Sequence, residues 1–246
     1  HNPLPEPLDA DQHFLDSLMA ITINITSASK RVIDWLLTQK EYSVICIQEH
    51  RRRGSSFYQL VHKLSKRYHV RGTHAKIKIT STSGGVILLV SKTLKVSHLE
   101  LYRPAPTDDW TSCVVRCRKN SIAFCTCYLL PDDAPRNVKT MDSVARFITG
   151  IRCPWILLGD YNEEPLELLN TGWSATQYGG YATPRNSPIT CTSGQGKMYD
   201  YAWTSCAMQW MINKVYVDWK VPIKTHYGVA YEICTQPHLV MTNQMM

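Results

Sequence analysis

Cys153-Pro-Trp-Ile-Leu-Leu-Gly-Asp-Tyr-Asn-Glu-Glu-Pro165 decides how this chain is read. Trp155 to Leu158 is a short apolar run, of the length of a fully buried strand and too short for a helix. Gly159 breaks the run, so the backbone turns there. Asp160 and Asn162 follow at the strand's C-terminal edge, where open α/β sheets place their ligands. A carboxylate can orient or deprotonate a water, and an amide N–H can hold a phosphate oxygen. The plainer alternative is a strand-to-helix turn in which Asp160 or Asn162 caps a helix from Glu163 to Leu169.

The flanking chain repeats this pattern. Leu18 to Asn24 is a strand rich in β-branched residues. Ser27 or Ser29 can cap the helix after it, whose apolar stripe is Val32, Ile33, Leu36 and Leu37. Tyr42 to Glu49 is a second strand, apolar until Gln48-Glu49. Two strands around one helix make a βαβ unit, so Asn24 and Glu49 sit on the same sheet edge. Arg51, Arg52 and Arg53 follow at once. Such a run is commonly a solvated loop, but beside a carboxylate at a strand end it is placed to contact phosphates.

Phe57, Leu60, Val61 and Leu64 mark the next helix, and Thr80 to Gly85 is a tight turn feeding the strand Val86 to Ser91. Thr111 to Cys117 and Ser121 to Leu130 form a hairpin around Arg118-Lys119-Asn120, with Tyr128 near its end. Val138, Met141, Val144, Ala145 and Ile148 form a helix stripe. Tyr178 to Gly196 is rich in loop residues. Met198 to Ser205 reads as a strand interrupted by Asp200, whose buried carboxylate needs a partner. Ile212 to Val221 and Thr225 to Ile233 close the sequence, with His226 at the start of the last strand.

In this order the motifs resemble the endonuclease/exonuclease/phosphatase superfamily over about Met19 to Ile233. The matching positions are Asn24, Gln48-Glu49, Gly84-Gly85-Val86, Tyr128, Gly159-Asp160-Tyr161-Asn162, Tyr199-Asp200-Tyr201 and His226. Tyr128 and the Gly-Gly strand look most like the nuclease branch, including the endonuclease domains of non-LTR retrotransposons. The resemblance implies an α/β fold, a four-layer α/β/β/α sandwich of two packed mixed β-sheets flanked by helices. It implies an Mg²⁺-dependent phosphodiesterase acting on nucleic acid, with Mn²⁺ as an alternative ion and DNA ahead of RNA. Glu49 would hold the metal with Asn24 nearby. Asp160 would activate water, Asn162 would donate to the phosphoryl oxygen, and Tyr128 would contact phosphate or leaving group. Asp200 would pair with His226 to keep that imidazole protonated, and Arg51, Arg52 and Arg53 would contact substrate.

Two positions depart from the family. The closing Ser-Asp-His reads Lys224-Thr225-His226, and Thr26 stands where several relatives carry an acid. Both changes remove negative charge near the metal. They support a second expectation, an inactive member of the fold serving as a binding or scaffold subunit among other protein chains.

Composition is consistent with either. The 246 residues are 44% hydrophobic, enough for one large core, and show no composition break. A 1–17 leader or linker, a domain over 18–235 and a 236–246 tail are expected. The net charge of +7 favours polyanions. The nine cysteines are odd in number and lack the C-x₂-C spacing of a zinc site. They imply reduced, mostly buried thiols in an intracellular compartment, the nucleus ahead of an organelle. Asn24-Ile25-Thr26 has the glycosylation pattern, but at the end of an apolar run it is not read as a glycan site.

Overall fold

The computed structural model describes residues 17–77, 81–97, 108–117, 120–131, 133–173 and 178–235. The expected leader up to residue 16, the tail from 236 and the Arg118-Lys119 turn lie outside the described residues. The first half runs β1 (Ser17–Asn24), α1 (Lys30–Thr38), β2 (Val44–Gln48), α2 (Ser55–Ser65) and β3 (Tyr68–Gly72). The short pair β4 (Lys76–Ile77) and β5 (Thr82–Ser83) precedes β6 (Val86–Ser91) and β7 (Lys95–Ser97). Then come β8 (Trp110–Arg116), β9 (Ser121–Tyr128), α3 (Ala134–Gly150) and β10 (Trp155–Asp160). The remainder is α4 (Pro165–Asn170), β11 (Gly179–Ala182), β12 (Asp200–Ser205), α5 (Cys206–Gln209), β13 (Ile212–Asp218) and β14 (Gly228–Cys234).

The strands form two six-stranded mixed sheets, ordered β13-β14-β1-β2-β6-β3 and β11-β12-β10-β9-β8-β7. Side chains alternate between the faces of a strand, and both faces of each central strand are covered here. Leu18, Ala20, Val44, Cys46 and Leu88 of one sheet meet Ile122, Phe124, Ile156, Leu158 and Ala202 of the other in the central layer. The opposite parity of the first sheet, including Ile21, Ile23, Ile45 and Ile47, packs on Val32 and Leu36 of α1 and Phe57 and Leu60 of α2. The opposite parity of the second sheet, including Ala123, Cys125 and Leu157, packs on Val144, Phe147 and Ile148 of α3. The result is the expected four-layer α/β/β/α sandwich. Truncating a fully buried leucine such as Leu158 would cost roughly 2–5 kcal/mol, so this central layer sets how the sheets stack.

Local signals explain the helix starts. Ser29, rather than Ser27, caps α1, accepting from Val32 N–H at 3.3 Å. Asp133 caps α3, with Pro135 in its first turn. The helix after the Asp160 motif starts later than the sequence suggests. Glu164 is its N-cap and exchanges hydrogen bonds with Glu167 in a capping box. Neither Asp160 nor Asn162 caps it.

Other boundaries shift as well. Asp200 begins β12 instead of interrupting a strand, because Tyr199 and Asp200 give their N–H groups to Thr190 Oγ1 at 3.0 and 2.9 Å. His226 precedes β14 and makes only an isolated bridge with Cys191. The loop-rich stretch from Tyr178 contains the edge strand β11. Asn24 is 1% exposed, which is incompatible with a glycan. The nine cysteines form no disulfide among the described residues. No described helix is long and apolar enough to cross a membrane.

Candidate active site at the joint end of the two sheets

The strand parity that fills the central layer also builds the site. Continuing the inward-facing series by twos gives Thr22 and Asn24 on β1, Gln48 on β2, Thr126 and Tyr128 on β9, and Asp160 on β10. Asn24 pairs with Gln48 in register, and Asp160 pairs with both Tyr128 and Asp200. The apolar layer therefore turns polar at one end. Gln48 Nε2 donates to Thr22 Oγ1 at 3.0 Å and to Thr126 Oγ1 at 2.7 Å, joining the sheets beneath the site. Gly159 permits the close approach of β10 to β9, since a Cβ there would lie 2.5 Å from the Cys127 carbonyl oxygen.

Asp160 is 1% exposed. Its Oδ2 accepts from Asn24 Nδ2 at 2.6 Å and lies 3.9 Å from His226 Nδ1, while Oδ1 accepts from Asn162 N–H at 3.0 Å. Burial pushes its pKa up to about 7, and the Asp200 charge adds to the rise. The His226 charge, the Asn24 amide and the Asn162 N–H oppose it. Asp200 Oδ2 accepts from His226 Nδ1 at 2.8 Å. Burial alone would lower the His226 pKa, but the Asp200 charge and hydrogen bond, helped by Cys191 and Asp160, push it up to about 12. The imidazolium is thus the stable form at neutral pH. Burial, then the Glu49 and Asp160 charges, hold the Tyr128 phenol well above its ordinary value, against Arg51 and Asn162. Tyr128 is a donor at any ordinary pH.

Asn162 Nδ2 donates to the Leu129 carbonyl at 2.6 Å, tying the loop after β10 to the loop after β9. Glu49 lies beyond Gln48 at the open side. Its Oε1 accepts from Arg51 Nε at 3.0 Å and Nη2 at 2.5 Å. The three arginines part here. Arg52 sends Nη2 to the Ala28 carbonyl at 2.7 Å, and Arg53 is exposed. Asn24, Tyr128, Asp160, Asp200, His226 and, at the rim, Glu49 and Arg51 therefore share one end of the sandwich.

Several members of the site carry no sequence signal of their own. His50 is fully buried between Glu49 and Arg51. Its Nε2 is 2.9 Å from the Thr73 carbonyl and its Nδ1 accepts from Arg52 N–H at 3.0 Å, which fixes the Nε2-protonated neutral tautomer. Burial lowers its pKa to about 4. Cys191 Sγ lies 3.6 Å from His226 Nε2. Asp109, fully buried, takes a two-pronged contact from Arg136 at 2.5 Å on each oxygen and a third from Lys76 at 3.3 Å, while its own carbonyl accepts from Tyr128 N–H. Among the described residues, the non-glycine positions with positive φ are Thr26, Glu49, Arg51 and Asn162, at 55°, 58°, 57° and 50°. All four lie just past strand ends at this site. Such strain persists where the surroundings over-determine it.

The donor set suits a hard cation. At the rim it is made of oxygens, from Glu49 and from the end of β1. Thr26 Oγ1 is buried there without a hydrogen-bond partner, and Asp200 Oδ1 is likewise unpartnered deeper in. Asp160, Asp200 and His226 present ligand atoms within 4.8 Å of one another, but the Asp200–His226 hydrogen bond occupies that group. Thr225 engages Thr192 through its carbonyl, at 2.8 Å from N–H and 3.1 Å from Oγ1.

Residues 21–207 match the endonuclease/exonuclease/phosphatase family. No curated protein matches the chain. Among solved structures, the endonuclease domain of TRAS1, a telomere-specific non-LTR retrotransposon, superposes with a TM-score of 0.64 at 16% identity, covering 89% of this chain and all of that one. The AP endonuclease LMAP from Leishmania major superposes at 0.70 with 11% identity, covering 90% and 89% of the two chains. The 3′ phosphatase NExo from Neisseria, bound to product DNA hairpin, superposes at 0.60 with 15% identity, covering 88% and 99%. At these identities the likeness is one of fold.

Proposed function

The chain belongs to the endonuclease/exonuclease/phosphatase family, and from that premise we propose that it is a divalent-metal-dependent phosphodiesterase that cleaves nucleic acid internally. The observation that carries this is the buried relay Asn24–Asp160 beside Asp200–His226, at the polar end of the central layer. Asp160 is the base. A carboxyl titrating near neutrality accepts a proton from water more readily than an ordinary one. Asn24 and the Asn162 N–H fix the orientation of its two oxygens. His226, held charged by Asp200, offsets negative charge developing on the phosphoryl oxygens. Tyr128 donates its phenolic hydrogen to phosphate or leaving oxygen. Asn162 acts through the loop it fixes and through its backbone N–H.

Glu49 and Asn24 are the residues that would hold Mg²⁺ or Mn²⁺, which when bound supplies Lewis-acid stabilisation of the phosphoryl and leaving oxygens. The +7 charge and the DNA hairpin bound by the Neisseria relative support a nucleic-acid substrate, with DNA ahead of RNA. The test is nicking of supercoiled plasmid with Mg²⁺ and with chelator, for wild type and Asp160→Asn. Metal-dependent nicking that the substitution abolishes is expected. Nicking indifferent to both, or none in wild type, overturns the proposal.

One observation favours the scaffold alternative. Arg51 already neutralises Glu49, and Thr26 and Thr225 add no charge to replace it. An uncleaved plasmid bound as tightly by wild type as by Asp160→Asn would select that reading.

A further inference from the structure

We infer that Arg51 is a displaceable counter-cation of Glu49: it clamps the carboxylate while no divalent ion is present, and is released toward a substrate phosphate when an ion enters. This rests on the proposal that Glu49 holds the metal. Three observations carry it. First, Arg51 Nε and Nη2 both converge on Oε1, so the guanidinium already neutralises the carboxylate whose charge would hold a cation. Second, the pair is asymmetric, with the Arg51 side chain 42% exposed and that of Glu49 11% exposed. An ion pair whose basic arm reaches water this freely is weak and is readily given up.

Third, the backbone beneath the pair is pinned while the arm is not. Glu49 and Arg51 both have positive φ, on either side of buried His50. His50 N–H and Arg51 N–H donate to the carbonyls of Gly85 and Gly84 at 3.4 and 3.1 Å. The His50 ring is fixed by Thr73 and by Arg52 N–H. Arg51 can therefore leave Glu49 by rotating its side chain, with the carboxylate staying in place. A freed guanidinium at the rim has the planar donor geometry that suits a phosphate. Metal and nucleic acid would then bind cooperatively, because each removes the competitor of the other, and the coupling must be reciprocal.

The experiment is Mn²⁺ titration of the full chain by calorimetry, without nucleic acid, for wild type, Arg51→Gly and Arg51→Gln. Glycine accepts the positive φ and glutamine keeps a polar stem, so the pair separates loss of charge from backbone effects. Both variants should bind Mn²⁺ about 5-fold tighter, the scale of losing one exposed ion pair. A second measurement titrates a fluorescent duplex with and without Ca²⁺. Wild-type affinity should rise with Ca²⁺, and that rise should shrink in both variants. Equal or weaker Mn²⁺ binding by the variants overturns the latch. Glu49→Gln separates the two levels. If it loses Mn²⁺ while the Arg51 variants match wild type, the latch alone fails. If it binds Mn²⁺ as wild type does, the metal assignment to Glu49 fails.

Discussion

Asn24 Nδ2 donates to Asp160 Oδ2 at 2.6 Å, joining residues 136 positions apart at the ends of strands in opposite sheets. The same Asn24 side chain accepts Thr26 N–H through Oδ1 at 2.8 Å. One buried amide thus holds the Asp160 carboxylate and shapes the turn after β1. Asn24→Ala leaves a buried carboxylate and a turn N–H short of a partner. Unfolding in urea should show a loss of about 1–3 kcal/mol. Nicking should fall at least about 10-fold, on the scale seen when an orienting partner is removed. A variant as stable as wild type would show that water replaces the amide.

Asp160 gives a pH-dependent test. Its folded pKa, about 7, lies above the ordinary carboxyl value of 3.8. The folded state therefore binds that proton more tightly than the unfolded state. The favourable contribution is complete below about pH 4 and is lost as pH rises to about 7. His226, raised from 6.5 to about 12, contributes stability that is complete below about pH 6.5 and is lost progressively as pH rises from there to about 12. His226 is present in both wild type and an Asp160 variant, so comparing the two isolates the loss due to Asp160, which falls between pH 5 and about pH 7. Asp160→Asn carries a constant penalty, since one of two donors loses its acceptor. The difference in Tm between Asp160→Asn and wild type should still become more positive from pH 5 to pH 8. A constant or falling difference would show that the carboxyl ionises without strain.

The strand ends and their polar residues were legible in the sequence because buried strands are short apolar runs that stop at a turn. Asp160, Asn24, Glu49 and Asp200 stand out at such stops. Arg51's partner was not legible, because Glu49 and Arg51 lie past the end of β2 and only the positive φ at both, which no sequence pattern marks, bends the chain so that they meet. His50 and Cys191 look like ordinary core residues, and only tertiary packing sets them against Gly85 and His226. The helix after Asn162 was misplaced because several acids compete to cap it, and the capping box of Glu164 with Glu167 prevails. The strand β11 was missed because a glycine-rich edge carries little propensity.

Gly85 tests the frame around Glu49. It has φ of +82°, and a Cβ there would fall 2.5 Å from His50 Nε2. Gly85→Ala combines backbone strain with overpacking, so a loss of roughly 2–4 kcal/mol is expected. Gly54, with φ of +55° and nothing within 4 Å of its added Cβ, is the control. Gly54→Ala should cost about 1 kcal/mol. Similar losses from both in urea denaturation would mean that His50 moves aside.

The arginine run should separate under salt titration. Replacing Arg53, which is exposed, should reduce the slope of log K against log salt by about 1 for duplex DNA. Arg52 is committed to the Ala28 carbonyl, so Arg52→Ala should lower Tm and leave the slope nearly unchanged. The reverse pattern would mean that Arg52 turns to solvent when DNA binds.

Thr225 tests the charge balance of the proposed metal site. It is half-exposed beside His226 and bound to Thr192 through its carbonyl, so its side chain can change without breaking those contacts. A hydroxyl orders neighbours by hydrogen bonding but adds no charge to hold a hard cation. Thr225→Asp supplies that charge where the sequence pattern of the family has an acid. The Mg²⁺ concentration for half-maximal nicking should fall about 10-fold, in the range of a restored supporting partner. A carboxylate one residue from His226 would add to the charge that holds its proton, so the rate should not drop at high pH. Asp160→Asn in the Thr225→Asp background should remain inactive, which separates metal recruitment from base catalysis. If wild type already nicks at low Mg²⁺ and Thr225→Asp shifts nothing, the cation is held without help from this corner. If both proteins stay inert while binding DNA, Arg51 and the two threonines mark a binding subunit.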